Sequence, residues 1–207
     1  AAGLVIPPAL LSNDKKSVTS KMGKPIVIST WDHGLPANDA AMDVLRQNGS
    51  ALDAVEAGVR IPEADPESQS VGYGGRPDED GYVTLDACIM DSLGNAGAVA
   101  FLKDIKHPIS VARKVMEQTD HVMLVGEGAK KFALAHGFKE ENLLTDKSRE
   151  EWLRWNEDHS IKDSWGPNKE HDTISTLALD NKGDLAGACT TSGVAYKIHG
   201  RVGDGPL

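Results

Sequence analysis

The chain has 207 residues, 40% of them hydrophobic and only 5% aromatic, and its 21 glycines suit a layered fold of one large or two small domains with many tight turns. The formal net charge is −9, from 22 Lys and Arg against 31 Asp and Glu, and the basic residues form no stripe. This charge distribution argues against a nucleic-acid partner.

The N-terminal stretch "AAGLVIPPALLSNDKK" joins an apolar run over residues 3–11 to a polar tail. This pattern is typical of the end of a secretory signal peptide, so residues 1–23 are expected to be a signal-peptide remnant and leader. The protein is therefore predicted to be exported, to the periplasm or, in a eukaryote, to a lysosome-like compartment. The run is too short to span a bilayer, and no membrane partner is expected.

The first elements follow from hydrophobic periodicity. Residues 24–30, "KPIVIST", are rich in β-branched side chains and predict a buried strand. Helices are predicted over 37–49 and 50–63, with Ser50 as the N-cap of the second. The stretch 70–83 is dense in Gly, Pro and Asp and predicts a loop, in which the acidic run Asp78-Glu79-Asp80 is expected to be a solvated turn.

A hairpin is predicted next, with strands over 82–91 and 96–102. Periodicity and end signals then predict a helix, a short strand and two more helices, over 108–118, 121–126, 127–137 and 145–159. Trp152 and Trp155 are expected to pack this last helix. The polar stretch 160–172 has turn residues and no apolar run, and it predicts an exposed linker.

A second hairpin is predicted over 173–180 and 185–193. Its turn repeats the spacing of the first, since Asp91-x-x-Gly94 corresponds to Asp180-x-x-Gly183, and the two hairpins are expected to share one geometry. Two apolar hairpins and several amphipathic helices together predict an α+β fold, with antiparallel sheets covered by helices.

The two cysteines, Cys88 and Cys189, each lie in an apolar segment and are expected to be buried, reduced thiols. A disulfide between them remains open at this point. No Cys-x-x-Cys or His-x-x-x-His spacing occurs, so the sequence gives no support for a structural zinc site.

The stretch "KEHDTISTLALD" places Thr173 at the start of a predicted strand, directly behind His171 and Asp172. A threonine hydroxyl is a weak nucleophile unless a base lies beside it, and no Ser-His-Asp pattern supplies one. If the peptide bond before Thr173 is cut, the new α-amino group, with a pKa of about 8, can act as that base. The alternative is an ordinary loop–strand junction, which the triplet alone also fits.

Downstream, "HGRVGDGP" sets Arg201 and Asp204 among glycines. An arginine binds a carboxylate with two hydrogen bonds, an aspartate binds an ammonium, and glycines let a ligand approach the backbone. This pattern fits a clamp for the two charged ends of a free amino acid. It fits equally a glycine-rich turn in which Arg201 and Asp204 pair with each other or with solvent.

Taken together, these motifs resemble the glycosylasparaginase (aspartylglucosaminidase) family of N-terminal-nucleophile hydrolases. The resemblance covers residues 24–206 and is carried by "PIVISTW", "ALDAVEAGVR", "SVGYGGRPDEDGYVTLDACIMD", "HPISVARKVME", "HVMLVGEGA", "HDTISTLALD", "GACTTSG" and "HGRVGDGP". It implies a four-layer αββα sandwich made as a precursor that cleaves itself before Thr173. Residues 24–172 would then belong to the α subunit and 173–207 to the start of the β subunit, within one structural domain.

The resemblance also implies roles for individual residues. Thr173 would be the nucleophile that hydrolyses the amide between N-acetylglucosamine and the side chain of free asparagine, with Thr191 beside it as a second catalytic threonine. Asp172, with His171, would assist self-cleavage. The remaining substrate-binding residues would be Trp31 in the cleft, Arg201 at the α-carboxylate and Asp204 at the α-amino group, together with the intervening Val202 and Gly203. The family uses no metal or organic cofactor and pairs its two-chain units into dimers.

Two features depart from the family pattern. Ser175 and Gly205 stand where members usually have Gly and Ser. The family also continues past the position of Leu207, with a Thr-Gly-His-Gly segment that completes the substrate site and oxyanion hole. The 207-residue chain is therefore expected to be a fragment, truncated in its β subunit, that is inactive or poorly folded alone.

Two alternatives stay open. An isoaspartyl peptidase or asparaginase of the same family would share the threonine mechanism and the clamp. Trp31 and the His171-Asp172 pair favour the glycosylasparaginase. A non-catalytic homologue that binds an amino acid would keep the clamp and lack turnover.

Overall fold

The computed structural model of the chain describes residues 23–158 and 173–207. Within these residues it contains six strands and five helices. In chain order they are β1 (Ile26–Ser29), α1 (Gly34–Arg46), α2 (Ala51–Ala64), β2 (Thr84–Met90), β3 (Ala96–Lys103), α3 (Pro108–Gln118), β4 (Met123–Val125), α4 (Gly126–Ala135), α5 (Asp146–Asp158), β5 (Ile174–Leu179) and β6 (Leu185–Thr191). Every predicted element within this part of the chain is present, so the mixed helix-and-strand class is confirmed. The prediction that β1 is buried was wrong, because β1 lies at the edge of the sheet and Ile26 and Ile28 are exposed.

Local chemistry explains where the helices begin. The Ser50 hydroxyl accepts a hydrogen bond of 3.1 Å from the Asp53 amide, which confirms Ser50 as the N-cap of α2. Helix α1 begins at Gly34, three residues before the predicted start. This is possible because Pro36 lies in the first turn, where a helix needs no N–H donor.

The two hairpin turns have the same geometry, as their shared spacing predicts. In the first, Asp91 Oδ1 accepts hydrogen bonds from the amides of Leu93 and Asn95, both at 2.9 Å. In the second, Asp180 Oδ1 accepts from the equivalent amides, at 2.8 and 3.1 Å. Gly94 and Gly183 have φ angles of 84° and 91°, a conformation that glycine adopts without strain. Each turn is thus set by one aspartate and one glycine.

The strands form one sheet in the order β1-β5-β6-β2-β3-β4. The expected antiparallel sheets are therefore a single sheet, because β6 pairs with β2 and joins the two hairpins. Only β4 departs from the antiparallel pattern: it runs parallel to β3, which it reaches after the crossover through α3.

The two faces of the sheet differ. Helices α1 to α4 pack on one face, where small and β-branched side chains such as Val55, Ile89 and Ile174 form the core. The opposite face, called the open face below, carries large apolar side chains that are each more than half exposed: Ile26, Ile28, Met90, Leu177 and Leu185. The described helices include none that is long and apolar enough to cross a membrane.

Gly97 on β3 lets α3 lie close against the sheet. A Cβ at this position would lie 2.1 Å from the carbonyl oxygen of Ala112 and 2.7 Å from the Met116 Cβ. We expect Gly97→Ala to destabilise the fold by about 3 kcal/mol, because the helix must move away from the strand. The measurement is the thermal midpoint, Tm, of the two proteins.

The matched control for this change is Gly128→Ala. Gly128 is an exposed residue of α4, and a Cβ there meets nothing within 4 Å among the described residues. The control is expected to raise stability by roughly 0.5 kcal/mol, since alanine favours the helix. An equal Tm for Gly97→Ala and the parent would contradict the close-packing argument.

Candidate active site

Strands β5, β6 and β2 bring three polar residues to one end of the open face. Asp86 pairs directly with Thr191, and Ile174 pairs with Thr190, so Thr173, one residue further along, comes level with Thr191. A cavity of about 440 Å³ opens there. It is lined by Thr173, Thr191, Gly193, Val194, Arg201, Val202, Gly203, Asp204 and Leu207.

A second cavity of about 430 Å³ adjoins the first, since Thr173, Asp204 and Leu207 line both. Trp31 lies in its wall, 60% exposed and with a φ of 61°, a left-handed conformation that is uncommon for a bulky residue. Every site residue that was predicted from the sequence, and that the structure describes, therefore lines one or both of these cavities. His171 and Asp172 lie outside the described residues.

Thr30, which sequence reasoning missed, brackets the backbone of Thr173. Its hydroxyl donates a hydrogen bond of 2.9 Å to the Thr173 carbonyl and accepts one of 3.0 Å from the Ser175 amide. The Thr30 amide in turn donates to the Ser175 carbonyl at 3.1 Å. One hydroxyl thus fixes the main chain on both sides of Ile174 and, with it, the position of Thr173.

Thr191 is buried at the floor of the site, 2% exposed. Its hydroxyl oxygen accepts a hydrogen bond of 2.8 Å from the Gly193 amide, which turns the chain from β6 into the following loop.

The neighbouring residue, Thr190, points to the other face of the sheet and donates a hydrogen bond of 2.7 Å to the buried carboxyl of Glu63. Burial raises the pKa of Glu63, and hydrogen bonds from His107, Thr190 and the Ile109 amide oppose that rise.

The Arg201 guanidinium lies against two glycines. A Cβ at Gly203 would lie 2.9 Å from Arg201 Nη1, and one at Gly193 would lie 3.2 Å from the same atom. Side chains at either position would therefore displace the guanidinium. Among the ion pairs of the described residues none joins Arg201 to Asp204. Direct pairing of these two charges, one of the sequence alternatives, is therefore absent.

Asp86 holds the loop that carries Arg201 and Asp204, called the clamp loop below after the predicted role of these two residues. This fully buried carboxylate accepts a hydrogen bond of 3.2 Å from the Gly203 amide and one of 2.9 Å from the Phe101 amide. Sequence reasoning missed it, although a charged residue inside the apolar strand "TLDACIM" was a signal. A buried carboxylate must find donors, and here the clamp loop supplies one.

The acidic run at 78–80 is not wholly a solvated turn, and that prediction was wrong for Asp78. Asp78 is fully buried, and its carboxylate lies 2.7 Å from His199 Nδ1 and accepts a hydrogen bond of 2.9 Å from the Tyr82 amide. Helix α5 contacts the same region through two of its tryptophans. Trp152 donates to the Glu79 carbonyl at 3.1 Å, and Trp155 stacks on Tyr196 with ring centroids 4.6 Å apart.

Lys197 is a buried amine beneath the site, 5% exposed. Its Nζ donates hydrogen bonds to the carbonyl oxygens of Ser192 and Thr84, at 2.7 and 3.2 Å. Burial lowers the pKa of Lys197 to about 8, the charge of Asp86 opposes this shift and the charge of Arg201 adds to it. The sequence offered no signal for this burial.

This pKa shift makes stability depend on pH. Between about pH 8 and pH 10.5, the ordinary pKa of a lysine, the Lys197 amine is protonated in the unfolded chain and deprotonated in the folded protein. The free energy of unfolding therefore rises with pH across this window, by roughly 3 kcal/mol at most. We expect Lys197→Met to remove the rise and the exposed-lysine control Lys182→Met to keep it, in Tm measured from pH 7.5 to 10.5. Parallel pH profiles for all three proteins would contradict the assignment.

The chain resembles known proteins over nearly its whole length. Residues 24–207 match the family described as Asparaginase. The N(4)-(beta-N-acetylglucosaminyl)-L-asparaginase of Elizabethkingia miricola is 59% identical over 198 residues, which cover 96% of this chain and 57% of that protein. The proteins of the same name from Mus musculus and Rattus norvegicus are 41% and 39% identical over 88% of this chain, and over 62% and 61% of their own length. The chain thus spans about three fifths of the length of these curated relatives.

Proposed function

The chain belongs to the asparaginase family, and from this premise we propose that the complete protein hydrolyses the amide bond between N-acetylglucosamine and the side chain of free asparagine. One observation carries the proposal: Thr173, Thr191, Arg201 and Asp204 line a single cavity. Hydroxyl groups, a guanidinium and a carboxylate thus surround one space, and this supports their proposed roles as nucleophile, anion-binding group and cation-binding group. The relatives described above are named for this activity, which supports the choice of substrate.

Thr173 is proposed as the nucleophile. Its hydroxyl attacks the side-chain amide carbon of the substrate while its own α-amino group takes the hydroxyl proton. That proton passes to the leaving glycosylamine, and a β-aspartyl ester remains on Thr173. Water then opens the ester with the same amine as base, which releases aspartate. The bonds from Thr30 to the carbonyl of Thr173 and the amide of Ser175 hold the nucleophile in place during both steps.

Arg201 and Asp204 are proposed as the clamp for the substrate's α-carboxylate and α-amino group. The bidentate guanidinium suits the planar carboxylate, and the glycines around it leave room for the ligand backbone. Such a clamp requires both charged groups to be free. The enzyme therefore acts on glycosylated asparagine only after proteolysis has removed the rest of the peptide. Thr191 and Trp31 complete the proposed site as cavity walls, with Val202 and Gly203 between the clamp charges.

The α-amino group becomes available by self-cleavage between Asp172 and Thr173, which we include in the proposal. In this step the Thr173 hydroxyl attacks the Asp172 carbonyl carbon, the C–N bond between the two residues breaks, and the hydroxyl proton passes to the freed α-amino group. Water then opens the resulting ester. His171 and Asp172 are proposed to assist. Ser175, which stands at a usual glycine position, has an ordinary strand conformation in β5.

A four-layer αββα architecture is proposed for the complete protein. The support is the open face, whose large apolar side chains are exposed in the described residues. A second sheet with its own helices would bury them, as apolar sheet faces require.

Two further points belong to the proposal. The complete protein pairs its two-chain units into dimers, and it is exported. The support for export is the apolar run over residues 3–11.

The test is a comparison of substrates with the protein expressed from its complete reading frame. Turnover of aspartylglucosamine should exceed turnover of β-aspartyl dipeptides and of asparagine. Preference for the dipeptides or asparagine would instead assign an isoaspartyl peptidase or asparaginase. Binding of aspartate without turnover of any of these substrates would assign a non-catalytic amino-acid-binding protein and overturn the enzyme proposal.

A further inference from the structure

The two cysteines lie side by side in the wall of the cleft. Cys88 on β2 and Cys189 on β6 are directly opposite one another in the antiparallel register. Both line the cavity that also holds Trp31, Thr173 and Asp204. They are half-buried rather than buried, so the expected core thiols are in fact cleft residues.

Their backbone geometry suits a cross-strand disulfide. Directly opposed residues of antiparallel strands have Cα atoms about 4.5–5.5 Å apart. Disulfides span Cα separations of about 4.4–6.8 Å, so the strands need not move. Directly opposed residues also carry their side chains on the same face of the sheet, so the two thiols are neighbours in the cavity wall.

Cys189 is the more reactive of the pair. The neighbouring Cys88 thiol lowers the pKa of Cys189 to about 7, the Ser175 side chain on the paired strand adds to this effect, and burial together with the charges of Asp204 and Asp86 opposes it. The neighbouring Cys189 and burial raise the pKa of Cys88. A thiolate near neutral pH beside a second thiol is the arrangement that favours thiol–disulfide exchange.

We propose that Cys88 and Cys189 are a modification site, at which a disulfide-bearing oxidant such as oxidised glutathione converts the two thiols into a reversible cross-strand disulfide. The Cys189 thiolate attacks the oxidant, breaks its S–S bond and forms a mixed disulfide, releasing one thiolate. Cys88 then loses its proton and attacks the Cys189 sulfur, which releases the second thiolate. The protein gives up two electrons and two protons, and the oxidant is reduced to two thiols.

Formation of the disulfide should weaken substrate binding by Arg201 and Asp204. The Cys189 sulfur lies 3.6 Å from the ideal Cβ position of Gly205, the residue that follows Asp204. A disulfide bond is about 2.05 Å long, far shorter than a thiol–thiol contact, so oxidation draws this sulfur towards Cys88 and away from Ser175, which pairs with Cys189 on its other side. The contact of this sulfur with the Gly205 backbone then changes. We expect KM to rise roughly tenfold, as for loss of a hydrogen bond to a charged group, with a smaller change in kcat. This consequence, unlike the disulfide itself, rests on the proposed function.

The experiment treats the native protein, expressed from its complete reading frame, with oxidised glutathione at neutral pH. After acid quenching, denaturation and alkylation, mass spectrometry should find a protein that has lost two hydrogens, takes no alkyl group at either cysteine and yields a Cys88–Cys189 cross-linked peptide. Dithiothreitol should restore both thiols. Two alkylated cysteines, or a stable glutathione adduct on the unaltered protein, would overturn the proposal.

Single variants separate the two roles. Cys88→Ser should trap one glutathione on Cys189, because the resolving thiol is gone, whereas Cys189→Ser should react far more slowly. Equal reactivity of the two variants would overturn the order of attack. A double variant, Cys88→Ser with Cys189→Ser, should have a KM that oxidised glutathione does not change. Because the cross-link is read by mass, failure of the proposed hydrolase activity leaves this test intact.

Discussion

Thr173→Ala is expected to leave the polypeptide uncut and to lower turnover of aspartylglucosamine roughly a million-fold. Alanine lacks the hydroxyl that, in the proposed mechanism, attacks the Asp172 carbonyl during self-cleavage and the substrate amide during turnover. Loss of a nucleophile that acts together with its own base costs an enzyme about this much in kcat. Denaturing mass spectrometry of the full-length protein, with sequencing of any new N-terminus, measures whether the chain is cut. The rate of aspartate release measures turnover.

Thr173→Ser is the matched control for this experiment. Serine keeps both the hydroxyl and, after cleavage, the α-amino group, so cleavage and measurable turnover should persist at reduced rates. The bonds of Thr30 to the carbonyl of residue 173 and the amide of Ser175 are main-chain bonds, and both variants keep them. Cleavage of the alanine variant at the same bond would show that another group is the nucleophile. If the parent protein stayed uncut and still turned over the substrate at its full rate, the α-amino group of Thr173 could not be the base, and the proposed mechanism would be wrong.

Arg201→Lys is expected to lower kcat/KM for aspartylglucosamine roughly 100-fold. Lysine keeps the positive charge but loses the planar fork that binds a carboxylate with two hydrogen bonds, and a hydrogen bond to a charged group is worth about 1.5–3 kcal/mol. Lysine also lacks the Nη1 group that lies against Gly193 and Gly203. Steady-state kinetics of the two proteins measures the effect.

A substrate analogue makes this prediction specific. If Arg201 binds the α-carboxylate, an analogue with a neutral α-carboxamide should be a poor substrate for the parent and equally poor for Arg201→Lys. Arg46→Lys, at an exposed arginine of α1, serves as the charge-conserving control and should behave as the parent. The same 100-fold loss on both substrates would mean that Arg201 supports the loop and does not recognise the carboxylate.

The predictions from sequence were most accurate where neighbouring residues decide the structure. Both hairpin turns, the Ser50 cap and the start of α3 at Pro108 follow from the chemistry of a few adjacent residues. Helix and strand periodicity identified every element of the described chain, with errors confined to the ends. Thr173, Arg201 and Asp204 were singled out because their residue types carry chemistry and stand in recognisable motifs, and the fold brings all three to one cavity.

The prediction failed where burial brings distant residues together. Asp78 was expected in solvent and is fully buried beside His199, and the buried positions of Asp86 and Lys197 were not foreseen. Asp78 and Asp86 are paired with residues from distant parts of the chain, and Lys197 bonds Thr84 as well as its near neighbour Ser192, so no local pattern records these positions. An isolated charge in a strand or loop suggests at most that some partner exists.

Local sequence thus specifies the strands and turns of this protein and the residue types of its candidate site. The pairing of β6 with β2 was decided only in the folded chain, because many hairpin arrangements satisfy the same alternation of apolar side chains. That one pairing sets Asp86 opposite Thr191 and Cys88 opposite Cys189. It also places the clamp loop over the buried carboxylate that holds it, since Asp86 lies within reach of the Gly203 amide.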